Sequence, residues 1–188
     1  MNPPFLTGED LDRKALAHRR ALGFRDDQPI DGMTLITKLK ARYSKFNYRR
    51  IPDNTLQHGE AQWDSDRGLL LIPESIFSAM NRGDPRATMT ILHEVGHMLL
   101  GHKGILHRGA ARNRTEQLSA RARRMELQAR RYAAAFMMPN TPEVSAMTEK
   151  EIERIYHASS EAARIRKSEL KEVRGKVGSE NFRTKNPK

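Results

Sequence analysis

The residues with the clearest chemical potential are His93-Glu94-Val95-Gly96-His97. Two imidazoles four positions apart lie on one face of a helix, one turn from each other, where both can reach a single ion. Glu94 is rotated away from direct coordination but can reach a water on that ion. Zinc lowers the pKa of such a water from about 15.7 to about 7, so a carboxylate beside it can take the proton as the water attacks a carbonyl. The pattern therefore reads as a zinc site held by His93 and His97 with Glu94 as general base. Catalytic zinc normally has three protein ligands and one open position. The chain has no cysteine, so the third ligand must be His, Asp or Glu. Downstream candidates are His102, His107, Glu116 and Glu126. His102 is five residues beyond His97, too far round a helix to share its face, and reads as capping the helix end or lining the cleft. His18, His58, His107 and His157 read as surface histidines. Glu126 is one of two acids between Lys103 and Arg131, against nine Lys and Arg; spacing leaves it equally able to pair with Arg123 or Arg130.

These side chains need elements to hold them. From Arg86 to about Gly101, Met89, Leu92, Val95 and Leu99 form one apolar stripe, which predicts the helix carrying the two histidines. A second long helix is expected from about Thr115 to Met138, ending before Pro139, with a Gly- and Arg-rich loop from His102 to Arg114 between them. Upstream the period changes. Phe46, Tyr48 and Ile51, then Ala61-Gln62-Trp63 and Leu69-Leu70-Leu71-Ile72 around the turn Asp64-Ser65-Asp66-Arg67-Gly68, predict a small antiparallel sheet. Trp63 and the 69–72 strand read as core, although a strand edge can also receive an extended peptide. Helices are further expected over 9–22, ending at Gly23, from Asp31 to about Tyr43, over 75–80, 148–156 and 159–172. Periodicity is lost from Gly175, and that tail is expected to be disordered.

At 188 residues, with 37% hydrophobic and 30% charged residues, the chain suits one core of ordinary size with loose ends. The start, Met1-Asn2-Pro3-Pro4-Phe5, has no basic stretch leading into an apolar run, and no segment nears the roughly 18 apolar residues of a membrane span. A cytoplasmic protein with no membrane partner is expected. The formal charge of +11 favours anionic partners, and nucleic acid could meet the basic surface.

The segment His93 to His102, His-Glu-Val-Gly-His-Met-Leu-Leu-Gly-His, followed by Glu126 to Pro139, resembles the ImmA/IrrE metallopeptidases. The resemblance covers about 45–170, with two separate motifs in the expected order. It implies that Glu126, which opens a Glu-x-x-Ala segment, completes the zinc site. It also implies an endopeptidase whose protein substrate is often a helix-turn-helix transcriptional repressor. The segment Glu149 to Ala163 looks like the helix-turn-helix-like C-terminal element of such proteins. One departure is plain: four residues beyond the ligand glutamate these proteins often carry Asn or Asp, which can orient a zinc histidine, and this chain has Arg130. Arginine cannot accept a hydrogen bond, so another acceptor must fix that ring or the site is weakened.

The expected architecture is α+β: a zincin-like domain whose small antiparallel sheet packs beside the His93–His97 helix, with the Glu126 helix on its other side and a mainly helical C-terminal part. Its divisions are a helical or loose extension over 1–30, the peptidase-like domain over 31–142, the helix-turn-helix-like element over 143–174 and a basic tail over 175–188. The alternative function is a regulatory or DNA-associated protein with a structural zinc and no proteolysis. Steep salt dependence would mark that reading.

Overall fold

The computed structural model describes residues 5–56, 60–103 and 120–183, with side chains as far as residue 173. Helix α1 spans Gly8–Ala21 and begins at a reciprocal cap: Asp10 N donates to Thr7 Oγ1 at 3.1 Å and Thr7 N to Asp10 Oδ2 at 3.1 Å, satisfying amide groups the first turn leaves unpaired. Gly23 takes φ +72° just beyond it. Helix α2, Gly32–Arg42, is capped by Asp31, which accepts from Thr34 N at 2.7 Å, and buries Leu35, Ile36 and Leu39.

Three strands follow: β1 (Asn47–Ile51), β2 (Gln62–Asp64) and β3 (Leu69–Pro73), in the order β1-β3-β2. The hairpin β2–β3 is antiparallel, with Trp63 opposite Leu70. Asp64 Oδ1 closes its turn by accepting from the amides of Asp66 and Arg67, each at 3.1 Å. Gly68 sits at φ +61°, where an added Cβ would fall 2.5 Å from the Lys45 carbonyl oxygen. The expectation of an antiparallel sheet is corrected by β1, which pairs parallel to β3 with Tyr48 opposite Leu70. Only the hairpin had a turn signal. The connection from Pro52 to Gly68, which carries β2 within it, is long enough for the crossover that parallel pairing needs, and alternation along a strand is the same in either direction.

Helix α3 (Glu74–Asn81) leads to α4 (Pro85–Leu99), the helix of the two histidines. Asp84 caps α4 by accepting from Arg86 N at 2.7 Å and Ala87 N at 3.3 Å, and Pro85 occupies the first helical position, where its missing N–H costs nothing. Helix α5 is described over Ala120–Met137; its expected start near Thr115 lies outside the described residues. It is followed by α6 (Pro142–Ala146), α7 (Glu149–Tyr156) and α8 (Ser160–Arg183). The backbone of α8 stays helical through Gly175 to Arg183, where a disordered tail was expected. Adding residues to a helix already anchored by packing is far easier than nucleating one, and Ala163, Arg166 and Leu170 supply that anchor.

Helix α4 packs against β2 and α5, and α1 packs along α5. The extension expected over 1–30 is thus an integral layer, with Leu11 and Ala15 in the core. Two buried arginines bind it to the end of α5. Arg19 donates to the carbonyls of Phe136 at 2.6 Å and Met137 at 3.2 Å, as well as to Arg25 and Gln28. Arg166, on α8, donates to Met138 O at 2.9 Å and to Asp12 Oδ1 at 2.8 Å. The last carbonyls of a helix have no partner within it; here both ends of the chain supply one. No helix among the described residues is long and apolar enough to cross a membrane.

Candidate metal centre

The site begins with a residue that has no side chain. Gly96 lies between the two histidines on α4, and a Cβ there would meet Ala129 O at 3.2 Å and Tyr132 Cδ1 at 3.2 Å. Glycine on one helix and alanine on the other let the backbones approach closely. Glu126 lies one turn before Ala129 on the same face of α5, so this contact delivers its carboxylate to the histidines. His93 Nε2 and His97 Nε2 are 3.1 Å apart, Glu126 Oε2 is 3.1 Å from His93 Nε2, and Glu126 Oε1 is 3.3 Å from His97 Nε2. Tetrahedral zinc with bonds of about 2.0–2.1 Å holds its ligand atoms about 3.3 Å apart. The three groups thus have the spacing of three corners of such a site, and two nitrogens with a carboxylate make the borderline donor set that zinc accepts.

His93, His97 and Glu94 are almost wholly buried. Burial pushes the Glu126 carboxyl upward, but the His93 and His97 imidazoles beside it outweigh burial and hold the group well below the ordinary carboxylate range. Glu126 therefore stays ionised, the form that binds a cation.

A second carboxylate lies near. Glu94 joins His93 and His97 in a cluster whose donor atoms lie within 4.8 Å of one another. Its Oε1 is 4.0 Å from His93 Nε2, while its Oε2 accepts a 2.8 Å hydrogen bond from the backbone N–H of Trp63 on β2. Glu126 is closer to both histidines, so it fits the third corner and Glu94 stands beside it. Glu94 and Gly96 are about 200° apart around α4, so the helix turns one face to the sheet and the opposite face to α5. Beyond Trp63 is a cavity of about 800 Å³ lined in part by Tyr43, Phe46, Trp63, Met98 and Leu99.

His102, expected to cap α4 or line the cleft, does more. It is buried, with Nδ1 2.9 Å from His97 Nδ1 and Nε2 3.0 Å from Gln128 Oε1. Burial, then the neighbouring His97, lowers its pKa to about 4. Gln128 had no signal in the sequence, because its partner comes from another helix. Arg130 is exposed, pointing away from the histidines. His18 is half-buried rather than a surface group, its Nδ1 2.8 Å from Tyr132 Oη; His157 is exposed at the C-cap of α7. His58, His107 and Glu116 lie outside the described residues.

No curated protein and no solved structure gives a significant match to the chain. The family model described as the IrrE N-terminal-like domain, Peptidase_M78, matches residues 58–168, a span that takes in β2, β3, α3, α4, the described part of α5, α6, α7 and the start of α8. By that match, which covers more than half of its length, this chain belongs to the Peptidase_M78 family of IrrE N-terminal-like domains.

Proposed function

We propose that the protein is a zinc-dependent metallo-endopeptidase in which His93, His97 and Glu126 hold the metal and Glu94 is the general base. The observation that carries this is the convergence of two imidazole nitrogens and one carboxylate at 3.1–3.3 Å, with a second carboxylate set just outside it. Zinc held there would supply Lewis acidity, which acidifies water and polarises a carbonyl oxygen. Everything else is the work of this chain. Glu94 takes the proton of the attacking water and passes it to the leaving amine; its bond to the Trp63 amide fixes the carboxylate beside His93. Glu126 and the closely packed α4 and α5 fix the ligands without rearrangement. The cavity beside Trp63 gives room for a side chain of a bound peptide, and its lining mixes apolar groups such as Phe46, Trp63, Met98 and Leu99 with polar ones such as Lys45, Asp66 and Arg67. The substrate is a protein partner and, following the resemblance of the His93–His102 and Glu126–Pro139 motifs, a helix-turn-helix repressor.

The test is a pair of variants. Glu94→Gln keeps size and removes the base, so zinc content should persist while cleavage falls by about 100-fold or more. His97→Ala should lose zinc and activity together, because two ligands hold a catalytic metal poorly. Undiminished cleavage in Glu94→Gln would remove Glu94 as the general base, and a biological phenotype kept by Glu94→Gln but abolished by His97→Ala would leave the zinc as a structural ion and replace the peptidase reading with the regulatory one.

A further inference from the structure

We infer that His102 and Gln128 are positioning residues that fix which nitrogen of His97 carries its hydrogen, and so keep His97 Nε2 free to bind a metal. The inference rests on the metal site proposed above and goes beyond it, because it concerns two residues that touch no metal.

A glutamine carbonyl oxygen can only accept. With Gln128 Oε1 3.0 Å from His102 Nε2, that nitrogen carries the hydrogen and donates it. The Nδ1 of a neutral His102 is then a bare lone pair. It lies 2.9 Å from His97 Nδ1, and two bare or two protonated nitrogens at that distance would repel. The hydrogen between them therefore belongs to His97. A neutral His97 protonated at Nδ1 has its lone pair on Nε2, the atom 3.1 Å from His93 Nε2 and 3.3 Å from Glu126 Oε1. The reverse chain would have the glutamine amide turned over and the imidazoles donating in the other direction. It would put the hydrogen on His97 Nε2 and block the site.

The backbone explains how a residue five positions on reaches back. The chain leaves α4 at Leu100, Gly101 takes φ +68°, and His102 N donates to His97 O at 2.9 Å. That reversal lays the His102 ring beneath His97, the ring centroids 5.0 Å apart. His97, His102 and Gln128 are 3%, 3% and 4% exposed, so water does not compete for these bonds. The acceptor that Arg130 cannot provide is thus supplied from two residues earlier on α5, through a second imidazole. Orientation of a ligand histidine by a hydrogen-bonded partner is general in zinc sites, and loss of the partner costs about 10- to 100-fold in metal affinity.

Three measurements test this. In the metal-free protein, long-range ¹H–¹⁵N NMR should show the hydrogen on Nδ1 of His97 and on Nε2 of His102. Gln128→Met, similar in size but with no acceptor, should weaken the zinc Kd by about 10- to 100-fold in chelator competition, whereas Gln128→Glu, which keeps the acceptor, should stay within a few-fold of the wild type. Thermal midpoints of the metal-free variants separate positioning from packing. Gln128→Met with a lowered midpoint and an unchanged zinc Kd would overturn the inference, as would a hydrogen on His97 Nε2. Failure of the wild-type protein to bind zinc at all would overturn the metal site and this inference together. An unchanged Kd in Gln128→Met beside a zinc-binding wild type would overturn the inference alone.

Discussion

At the scale of single residues, two acids stand differently toward the histidines. Glu94 and Glu126 both lie within reach of them, and their surroundings differ. Glu126 lies 3.1 Å from His93 Nε2 and 3.3 Å from His97 Nε2, and the two imidazoles hold its carboxyl well below the ordinary range; Glu94 is tied to a backbone amide of the sheet and approaches no closer than 4.0 Å to His93 Nε2. Arg130 bears on the same question. Its side chain is exposed, so it neither replaces nor obstructs an acceptor for the histidines. Restoring the more usual residue with Arg130→Asn should therefore leave the zinc Kd within about three-fold of the wild type, the spread expected for an exposed change that touches no ligand, by chelator competition. Tightening by ten-fold or more would show that the asparagine reaches a histidine after all. The His97–His102–Gln128 chain could not be read from spacing, because it depends on Gly101 reversing the backbone and on a side chain from α5. What spacing did contain was His93, Glu94 and His97 on one helix.

Among the elements, the decisive contact is the crossing of α4 and α5 at Gly96 and Ala129. A methyl group at position 96 would sit 3.2 Å from a backbone oxygen and from the Tyr132 ring, and backbone does not yield as a flexible side chain does. Gly96→Ala gains helix propensity of about 1 kcal/mol, but the crowding acts against it at about 1–3 kcal/mol. Separation of the helices carries Glu126 away from both histidines at once. The expected outcome is a modest change in thermal midpoint with a loss of zinc affinity of at least ten-fold, measured on the same preparation. Unchanged affinity would mean that the helices accommodate the methyl elsewhere. The helices were legible mainly from their apolar stripes: Asp31 begins α2 where the sequence placed it, whereas the caps Thr7 and Asp84 set the starts of α1 and α4 one or two residues before the expected ones. The sheet was legible only as far as its hairpin, since a turn between Asp64 and Gly68 fixes the direction of two strands, and nothing in Asn47–Ile51 indicates which way it runs beside a third.

Across the whole molecule, the charge cluster around Asp12 joins α1 and α8 to α5, the helix that carries Glu126. Asp12 is 2% exposed and Arg166 0%, Arg131 Nη2 lies 3.8 Å from Asp12 Oδ2, and Asn140 donates to the same oxygen at 3.1 Å. Arg166 keeps Glu169 Oε2 at 3.0 Å when Asp12 is removed, so the loss is that of buried hydrogen bonds left unmade, about 1–3 kcal/mol. Asp12→Ala should therefore lose that much stability in denaturant unfolding, and metal retention should fall at temperatures where the wild type still holds the metal. A loss below about 1 kcal/mol would show that water reaches Arg166 readily. The N-terminal helix gave little sign of this in the sequence, because its amphipathic stripe is weak and its contribution lies in buried polar groups, Asp12 and Arg19, that sequence patterns assign to the surface.

The bond from the Trp63 amide to Glu94 also bears on how these molecules behave toward one another at high concentration. A three-stranded sheet has two free margins, each a row of amides and carbonyls onto which a second copy could add a strand and begin a fibre. On one margin β2 is only three residues long, and its outward amide at Trp63 is already taken by a side chain. On the other, β1 carries the exposed Arg49, beside an Arg50 paired with Glu74, and stops at Pro52, and bringing two such margins together would place the Arg49 charges side by side. The Glu94 carboxylate, proposed above as the general base, thus also seals one border of the sheet against self-association.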